Sequence, residues 1–270
     1  MTRDPFKTLP SLISIAERAL TVDYLSAPDL EYINGSTKAA EAESFLARNG
    51  YDAAPVEATR PALYVDREDL VGGRGTVLDH ARSLDAPLLV SSALSLADGV
   101  LLLRELRYYF VLEGDQLIGI VTRADLQRQA VSMVLLGFIL ASEVGMNILI
   151  EDQLGSDWID SLGEEKAQEV ERFYEERVRA NAEISRLECL MLHQRLSLIG
   201  KSPESFTALG FSSMRAYTGW AKTITRLRDT LAHGGGLLHA QREPEEAIRL
   251  FDDVRRFAER VWELAMPLQD

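Results

Sequence analysis

The reactive side chains of this sequence are concentrated in the stretch from Arg226 to Gly236. Within six residues it places Arg228, Asp229 and His233, and three glycines follow directly. An imidazole titrates near neutral pH and can take or give a proton, whereas a guanidinium stays charged and can stabilise an oxyanion. This pattern predicts acid–base chemistry at an anionic substrate. The alternative is a surface ion pair of Arg228 and Asp229, with a histidine that caps a helix before glycine.

Charge is distributed unevenly along this acidic chain, whose formal net charge is −13. A chain this acidic is not a general nucleic-acid binder, and no DNA partner is indicated. Residues 151–189 hold twelve acidic and five basic side chains, whereas residues 201–242 hold six basic and two acidic ones. Arg228 and His233 therefore lie in the most basic part of the sequence. This indicates either contact with an anion or a solvated helix face.

Composition limits the class of protein. The 270 residues are 46% apolar and 26% charged, which is ordinary for a soluble globular chain and sufficient for two domains. Cys189 is the single cysteine, so no intrachain disulfide can form and we expect a reducing, cytoplasmic location. The first ten residues lack the layout of a signal peptide. The apolar run at residues 131–150 contains Glu143, which favours a buried helix over a membrane span, so no membrane partner is expected.

The first half of the chain alternates short predicted strands with helices. Residues 51–56 and 62–65 read as strands, and a helix follows. The order then returns about sixty residues later, with strands at residues 108–112 and 116–121 joined by a hairpin turn at Gly114. The sequence therefore contains an internal repeat of helix, strand, strand and helix.

The stretch from Tyr109 to Leu126 resembles the closing half of a CBS domain. The signature of that family is a hairpin ending in Gly, two apolar residues, a hydroxyl residue and, three positions later, Asp with an apolar neighbour. Here Gly119-Ile120-Val121-Thr122 precedes Asp125 and Leu126. The first repeat matches less well, because Asp66 stands at the hydroxyl position and Leu63 at the glycine. CBS domains occur in pairs, so the resemblance implies a pair over roughly residues 15–130.

The CBS resemblance implies a site for an adenosine nucleotide in the clefts between the repeats. In that family the hydroxyl and the Asp hold phosphate or ribose, which points to Thr122 and Asp125 here and, more weakly, to Asp69. A helix N-terminus also offers free N–H donors to an anion. Asp66 would repel a phosphate, so we expect the first site to be empty or altered. The alternative is that Thr122 only caps its helix and Asp125 only favours the helix dipole.

The second half of the chain is predicted to be almost entirely helical. Apolar residues recur at helical spacing over residues 131–149, 164–199, 212–233 and 243–265. Short connections between such helices imply an up-and-down bundle, and the first helix, apolar nearly all round, should be central. Glu143 and Asn147 lie four residues apart on one face of it. These polar groups need partners, which are either structural or part of a site.

A helical domain that carries Arg228, Asp229 and His233 late in the chain resembles the HEPN superfamily. The signature of that superfamily is an Arg, four to six residues and a His, usually with Asn, Asp or His after the Arg. The resemblance implies a metal-independent ribonuclease whose site is shared by two chains of a homodimer. Some HEPN domains are only binding modules, so a non-catalytic role stays open.

The residue chemistry suits RNA cleavage, in which the 2′-hydroxyl attacks the neighbouring phosphorus. His233 is the expected acid and base, Arg228 stabilises the phosphate, Asp229 orients one of them, and Glu143 is a further supporting candidate. We expect no metal and no catalytic cofactor. Arg228 and His233 lie about 140° apart on a straight helix of 3.6 residues per turn. A break in the helix, or a second chain, is therefore expected.

The sequence thus predicts an α+β CBS pair over residues 1–128, followed by an all-α helical bundle over residues 129–270. The leading hypothesis is an endoribonuclease that acts on RNA as a homodimer under control of AMP, ADP, ATP or a related nucleotide, as in a toxin or defence effector. One alternative is a non-catalytic nucleotide-sensing module that dimerises or binds a protein or RNA partner. Another is a CBS pair that serves only as a dimer scaffold and has no ligand.

Overall fold

The computed structural model describes residues 14, 20–26, 30–57, 62–240 and 243–268. These residues divide into two compact units, with the boundary between Val131 and Ser132. The sequence prediction placed this boundary three residues earlier. The boundary falls in the first turn of the helix Gln129–Leu154, not in a separate linker.

The first unit is α+β, and its described residues form two sheets of three strands each. The first sheet is antiparallel and has the order β1 (Ala53–Pro55), β2 (Leu63–Asp66) and β3 (Arg82–Ser83). Helix α1 (Ala39–Asn49) precedes it, and helix α2 (Arg67–Leu70) follows β2. Gly50 ends α1 with a φ of 70°, a left-handed conformation that glycine adopts without strain. The core of this repeat buries Leu46, Val65 and Leu70 together.

The second sheet is mixed and contains β4 (Leu89–Ser91), β5 (Tyr108–Glu113) and β6 (Gln116–Thr122). Strand β5 lies in the middle, parallel to β4 and antiparallel to β6. Helix α3 (Leu96–Leu102) connects β4 with β5, and the Ser95 side chain caps it by accepting a hydrogen bond from the Asp98 amide. The predicted hairpin strands are thus present, and Gly114 at their turn has a φ of 61°.

Aromatic residues bring the two sheets of this unit together. Tyr64 on β2 meets Tyr108 and Phe110 on β5 edge to face, at ring-centroid distances of 6.3 and 5.6 Å. These rings share one buried cluster with Ala53 and Leu84. Such pairs add about 0.5–1.5 kcal/mol each beyond the area they bury, so β2 and β5 are the strands that fix one repeat against the other.

The second unit is mostly helical. Its helices are α4 (Gln129–Leu154), α5 (Glu164–Arg179), α6 (Leu192–Ile199), α7 (Pro203–Ala208), α8 (Met214–Ala232), α9 (Leu237–Ala240) and α10 (Pro244–Ala265). Helices α4 and α10 meet through Phe138 and Phe251, whose rings lie 6.1 Å apart. They approach closely at Gly145, where an added Cβ would lie 2.6 Å from Val261.

The single long helix predicted for residues 164–199 is wrong. Helix α5 ends at Arg179, and Asn181 has a φ of 60°, which turns the chain out of the helix. A short 3-10 turn at Leu187–Cys189 then leads into α6. The irregular segment is stabilised from within, because its carbonyl groups accept hydrogen bonds from the buried Arg195. Helical spacing of apolar residues alone did not reveal this tertiary contact.

Helix α4 is the most apolar element of the chain. By length and composition, the helical stretch Gln129–Trp158 could cross a membrane, because its most apolar window of 18 residues has a mean hydropathy of 2.0. Of its most apolar window, 61% is buried inside the protein. The core helix of a soluble protein has the same features, and the aromatic and glycine contacts to α10 provide this packing.

Candidate functional site

The Arg–His motif lies at the C-terminal end of α8. The Ser213 side chain caps the start of this helix by accepting a hydrogen bond from the Ala216 amide. The helix then continues unbroken to Ala232, and His233 is its C-terminal cap. The His233 amide donates to the Asp229 carbonyl at 3.1 Å, and the imidazole is exposed to solvent. The motif is therefore accessible to a substrate.

Arg228 and Asp229 form an ion pair with each other. The Arg228 Nη1 to Asp229 Oδ1 distance is 3.1 Å, and 38% and 56% of the two side chains are exposed. Exposed pairs of this kind contribute on the order of 1 kcal/mol or less, because solvent screens them. Arg228 can therefore exchange this partner for an anionic ligand at little cost.

The predicted break between Arg228 and His233 is absent from α8. A break in the helix was one of two ways in which Arg228 and His233 could meet, but α8 has no break between them. On this regular helix the two side chains project about 140° apart. A shared site would therefore need residues from a second chain.

A buried ionic network lies beside the motif and centres on Arg195, which the sequence analysis missed. The guanidinium is 4% exposed and lies between α4 and α6. Its Nε donates to Asn147 Oδ1 at 2.7 Å, and its Nη1 donates to Glu143 Oε2 at 3.1 Å. The backbone carbonyls of Leu187 and Leu190 accept further hydrogen bonds. A single Arg within the apolar run of α6 was the signal that could have found it.

Glu143 connects this network to the motif. Its Oε1 atom is buried and has no hydrogen-bond partner among the described residues. Burial raises the pKa of the Glu143 carboxyl, while the positive charges of Arg195 and Arg228 act in the opposite direction. The sequence-predicted Glu143 and Arg228 are thus electrostatic neighbours, whereas the structure does not place His233 in this network.

A groove lies between α6 and α8, and α8 is the helix that carries the motif. Its volume is about 610 Å³. The basic side chains along it are His193, Lys201, Lys222 and Arg226, and Asp229 of the motif also lines it. The groove therefore brings four basic groups next to the motif.

In the first unit, Thr122 and Asp125 form a closed cap around the 3-10 helix Arg123–Gln127. Thr122 accepts a hydrogen bond from the Ala124 amide at 3.3 Å, and its own amide donates to Asp125 Oδ2 at 2.8 Å. Asp125 Oδ1 accepts from Arg128 Nε at 2.7 Å. Both carboxylate oxygens of Asp125 therefore have partners within the chain, as the capping alternative predicts.

Asp66 has the corresponding place in the first repeat, where it caps α2 by accepting from the Glu68 amide at 2.9 Å. It is 5% exposed, and its other oxygen accepts from the Tyr108 hydroxyl at 2.7 Å and from Arg107 Nη2 at 2.8 Å. Burial, followed by the contact with Asp66, raises the pKa of Tyr108. Arg107 also pairs with Glu68, so one guanidinium faces two carboxylates, and Asp66 joins β2 to β5.

Asp69 is the third nucleotide-site candidate and pairs with Arg82 on β3. Its second oxygen is buried and has no hydrogen-bond partner among the described residues. The three candidates are therefore distributed over the ends of two repeats: Thr122 and Asp125 at one, Asp69 at the other. No group of three or more His, Cys, Asp or Glu side chains that could hold a metal ion occurs within the described ranges.

Comparison with protein-family models assigns part of this unit. A CBS domain is found at residues 84–132. The CBS domain thus includes β4, α3, β5, β6 and the Thr122–Asp125 cap, and the match ends at the start of α4. The first repeat and the helical unit lie outside the matched residues. Comparison with curated proteins finds no match.

Solved structures of CBS proteins are similar to this chain over part of its length. CBSX2 in complex with AMP shares 26% identity over 42% of this chain and 96% of its own, with a TM-score of 0.36. The CBS domain of a bacterial CNNM/CorC family Mg²⁺ transporter in complex with ATP shares 16% sequence identity over 48% of this chain and 96% of its own, with a TM-score of 0.35. A hexameric CBS-CP12 protein from bloom-forming cyanobacteria shares 14% sequence identity over 80% of this chain and 97% of its own, with a TM-score of 0.35.

Proposed function

We propose that the chain is a metal-independent endoribonuclease whose activity is regulated by an adenine nucleotide bound to its CBS domain. The observation that carries the ribonuclease part is the position of Arg228. It is partly exposed at the end of α8, weakly paired, and an electrostatic neighbour of the buried Glu143. A cation so placed can bind a phosphate without first breaking a strong internal pair.

The proposed chemistry assigns one task to each side chain. His233, exposed at the helix end, takes the proton of the attacking 2′-hydroxyl or protonates the leaving 5′-oxygen. Arg228 stabilises the negative charge that develops on the phosphorus-bound oxygens. Asp229 orients Arg228 through their 3.1 Å contact, and Glu143 is a supporting residue in the electrostatic surroundings of Arg228. A homodimer would bring the Arg228 of one chain to the His233 of the other.

The test is cleavage of a labelled RNA in EDTA, with AMP, ADP or ATP present or absent. We expect wild-type cleavage to survive chelation, and His233→Ala and Arg228→Ala to reduce it at least 100-fold, as general acid–base and electrostatic catalysis require. His239→Ala is the matched control, because His239 is also exposed but lies outside the motif. Equal losses in all three variants, or no wild-type cleavage with any nucleotide, would contradict the proposal.

The nucleotide is proposed to bind near Thr122 and Asp125, and AMP and ATP are the first ligands to test. An Asp125 that releases Arg128 could accept ribose hydroxyls. A ligand at 100 times its Kd stabilises the folded state by about 2.7 kcal/mol. We expect a rise in melting temperature in wild type that Asp125→Asn reduces and that Asp115→Asn, at the exposed hairpin turn, leaves unchanged.

A non-catalytic nucleotide-sensing module is the second candidate. It is favoured by the unbroken α8, which holds Arg228 and His233 on different faces, and by the closed cap at Thr122 and Asp125. Calorimetry separates the two functions. Nucleotide binding together with a complete absence of RNA turnover would favour the sensor, whereas turnover that depends on His233 would exclude it.

A further inference from the structure

The groove between α6 and α8 combines positive charge with an apolar floor. Leu196 and Met214 contribute apolar surface, and His193, Lys201, Lys222 and Arg226 contribute the basic groups. Lys222 and Arg226 have no ion-pair partner among the described residues, while Lys201 donates to the Ser161 carbonyl. Two cations without an ion-pair partner along one groove are free to contact an anion from solution.

The cations follow one face of α8. Lys222 and Arg226 are one turn apart, with a rise of about 6 Å along the helix axis, and Asp229 comes next on the same face. Asp229 contacts Arg228, so the row of charges ends at the motif. An extended phosphate backbone could therefore contact Lys222 and then Arg226 and continue towards His233, which projects about 20° from Arg226 around the helix. Arg228 does not line the groove and projects about 160° from Arg226.

The walls of the groove favour unpaired bases over a duplex. The exposed side chains of Ser197 and Thr218 can donate to phosphate or sugar oxygens, and the apolar floor can cover the face of a base. A base inside a duplex cannot present its face, because both faces are stacked. We propose that this groove binds a single-stranded segment of RNA next to the Arg228–His233 motif. The inference rests on the proposed ribonuclease function for the identity of the ligand.

The test is binding, measured separately from cleavage. The full chain carrying His233→Ala is titrated against a fluorescein-labelled single-stranded RNA, and anisotropy is followed over a range of salt concentrations. Adding Lys222→Glu and Arg226→Glu should weaken binding at least tenfold. Loss of two phosphate contacts should also make the slope of log affinity against log salt shallower by about 1.4. Lys222→Gln with Arg226→Gln should give an intermediate loss, which guards against misfolding of the charge-reversed variant.

The control changes the same net charge elsewhere. Lys166→Glu with Arg172→Glu places two charge reversals on the exposed face of α5, outside the groove. Equal weakening by this control, or undiminished binding by the groove variant, would overturn the proposal. So would equally tight binding of an RNA duplex, or displacement of the RNA by AMP alone. Groove-dependent binding without any wild-type cleavage would support RNA binding by the groove and would contradict only the proposed ribonuclease activity.

Discussion

Arg195 shows how a single buried charge organises the helical unit. Its guanidinium holds Glu143 and Asn147 of α4 and the carbonyls of the segment between α5 and α6. A buried pair of this kind adds little net stability over apolar residues, but removing one partner leaves the other charge unpaired. The residue therefore determines where Glu143 lies, and through it the electrostatic surroundings of Arg228.

We expect Arg195→Met to destabilise the protein by about 3–5 kcal/mol, because Glu143 and two carbonyl groups would stay buried without a donor. Arg186→Met is the matched control, since Arg186 makes two 2.7 Å contacts to Glu171 at the surface. Urea unfolding should show a much smaller loss for the control. Similar midpoints for the two variants would contradict a structural role for the buried network.

The raised pKa of Glu143 predicts a pH dependence with a definite sign. Because burial raises the pKa in the folded state above its ordinary value of 4.5, the folded state binds this proton more tightly. The contribution of Glu143 to stability is then complete below pH 4.5 and is lost as pH rises through the folded-state pKa. Wild type should gain stability relative to Glu143→Gln as pH falls from 7 to 4.

Glu171 provides a control of opposite sign. The hydrogen bond from Arg186 lowers the pKa of Glu171. The contribution of Glu171 to stability is present above the pKa that its carboxyl has in the unfolded chain. It is lost as pH falls through the lower pKa of the folded state. Urea unfolding at several pH values should therefore show wild type losing stability relative to Glu171→Gln as pH falls. If the stability of wild type relative to each variant changed with pH in the same direction, neither the raised pKa of Glu143 nor the lowered pKa of Glu171 would govern stability.

At the scale of elements, β2 and β5 are joined by more than aromatic packing. The Tyr108 hydroxyl at the start of β5 donates to Asp66 at the end of β2, so the first sheet is hydrogen-bonded to the second. Asp66 at the same time caps α2. One carboxylate thereby serves two sheets and a helix, which explains why Asp occupies a position where the CBS signature has a hydroxyl.

We expect Tyr108→Phe to cost about 1.5–3 kcal/mol, the usual contribution of a hydrogen bond to a charged group. Tyr51→Phe is the control, because the Tyr51 hydroxyl has no hydrogen-bond partner among the described residues and its ring packs against Phe45. Thermal unfolding should separate the two. An unchanged melting temperature for Tyr108→Phe would show that Arg107 and the Glu68 amide satisfy Asp66 without it.

At the scale of the whole molecule, the catalytic proposal depends on assembly. Each chain has an unbroken α8 that projects Arg228 and His233 about 140° apart. Two chains related by a two-fold axis could complete each other's motif, since such an axis places the same surface on both partners. Activity should then belong to the dimer and not to the single chain.

Mixing two inactive variants tests this. Arg228→Ala and His233→Ala chains, unfolded together and refolded at equal concentration, should recover about a quarter of the wild-type activity. Half of the dimers then contain one chain of each variant. In each such dimer, one of the two sites has both Arg228 and His233, and the other has neither. Either variant refolded with an Arg228→Ala/His233→Ala double variant should recover none. No recovery from the first mixture would place both residues in a site within one chain.

The sequence by itself predicted the parts of this protein that depend on local interactions. The hairpin at Gly114 and the cap at Thr122 follow from neighbours a few residues apart, and the CBS domain at residues 84–132 agrees with the signature. The end of α8 at His233 follows similarly from the glycines after it. The resemblance of the helical unit to HEPN proteins stays a prediction.

Only the tertiary structure decided what the buried charges do. Asp66 meets Arg107 and Tyr108 across some forty residues of sequence, and Arg195 meets Glu143 across about fifty. Neither partner can be identified from helix or strand periodicity, which reports the face of a residue and not what lies opposite. The break after α5 and the basic groove beside α8 have the same origin. The break exists because distant segments must satisfy one another's polar groups once water is excluded, and the groove exists because tertiary packing places α6 beside α8.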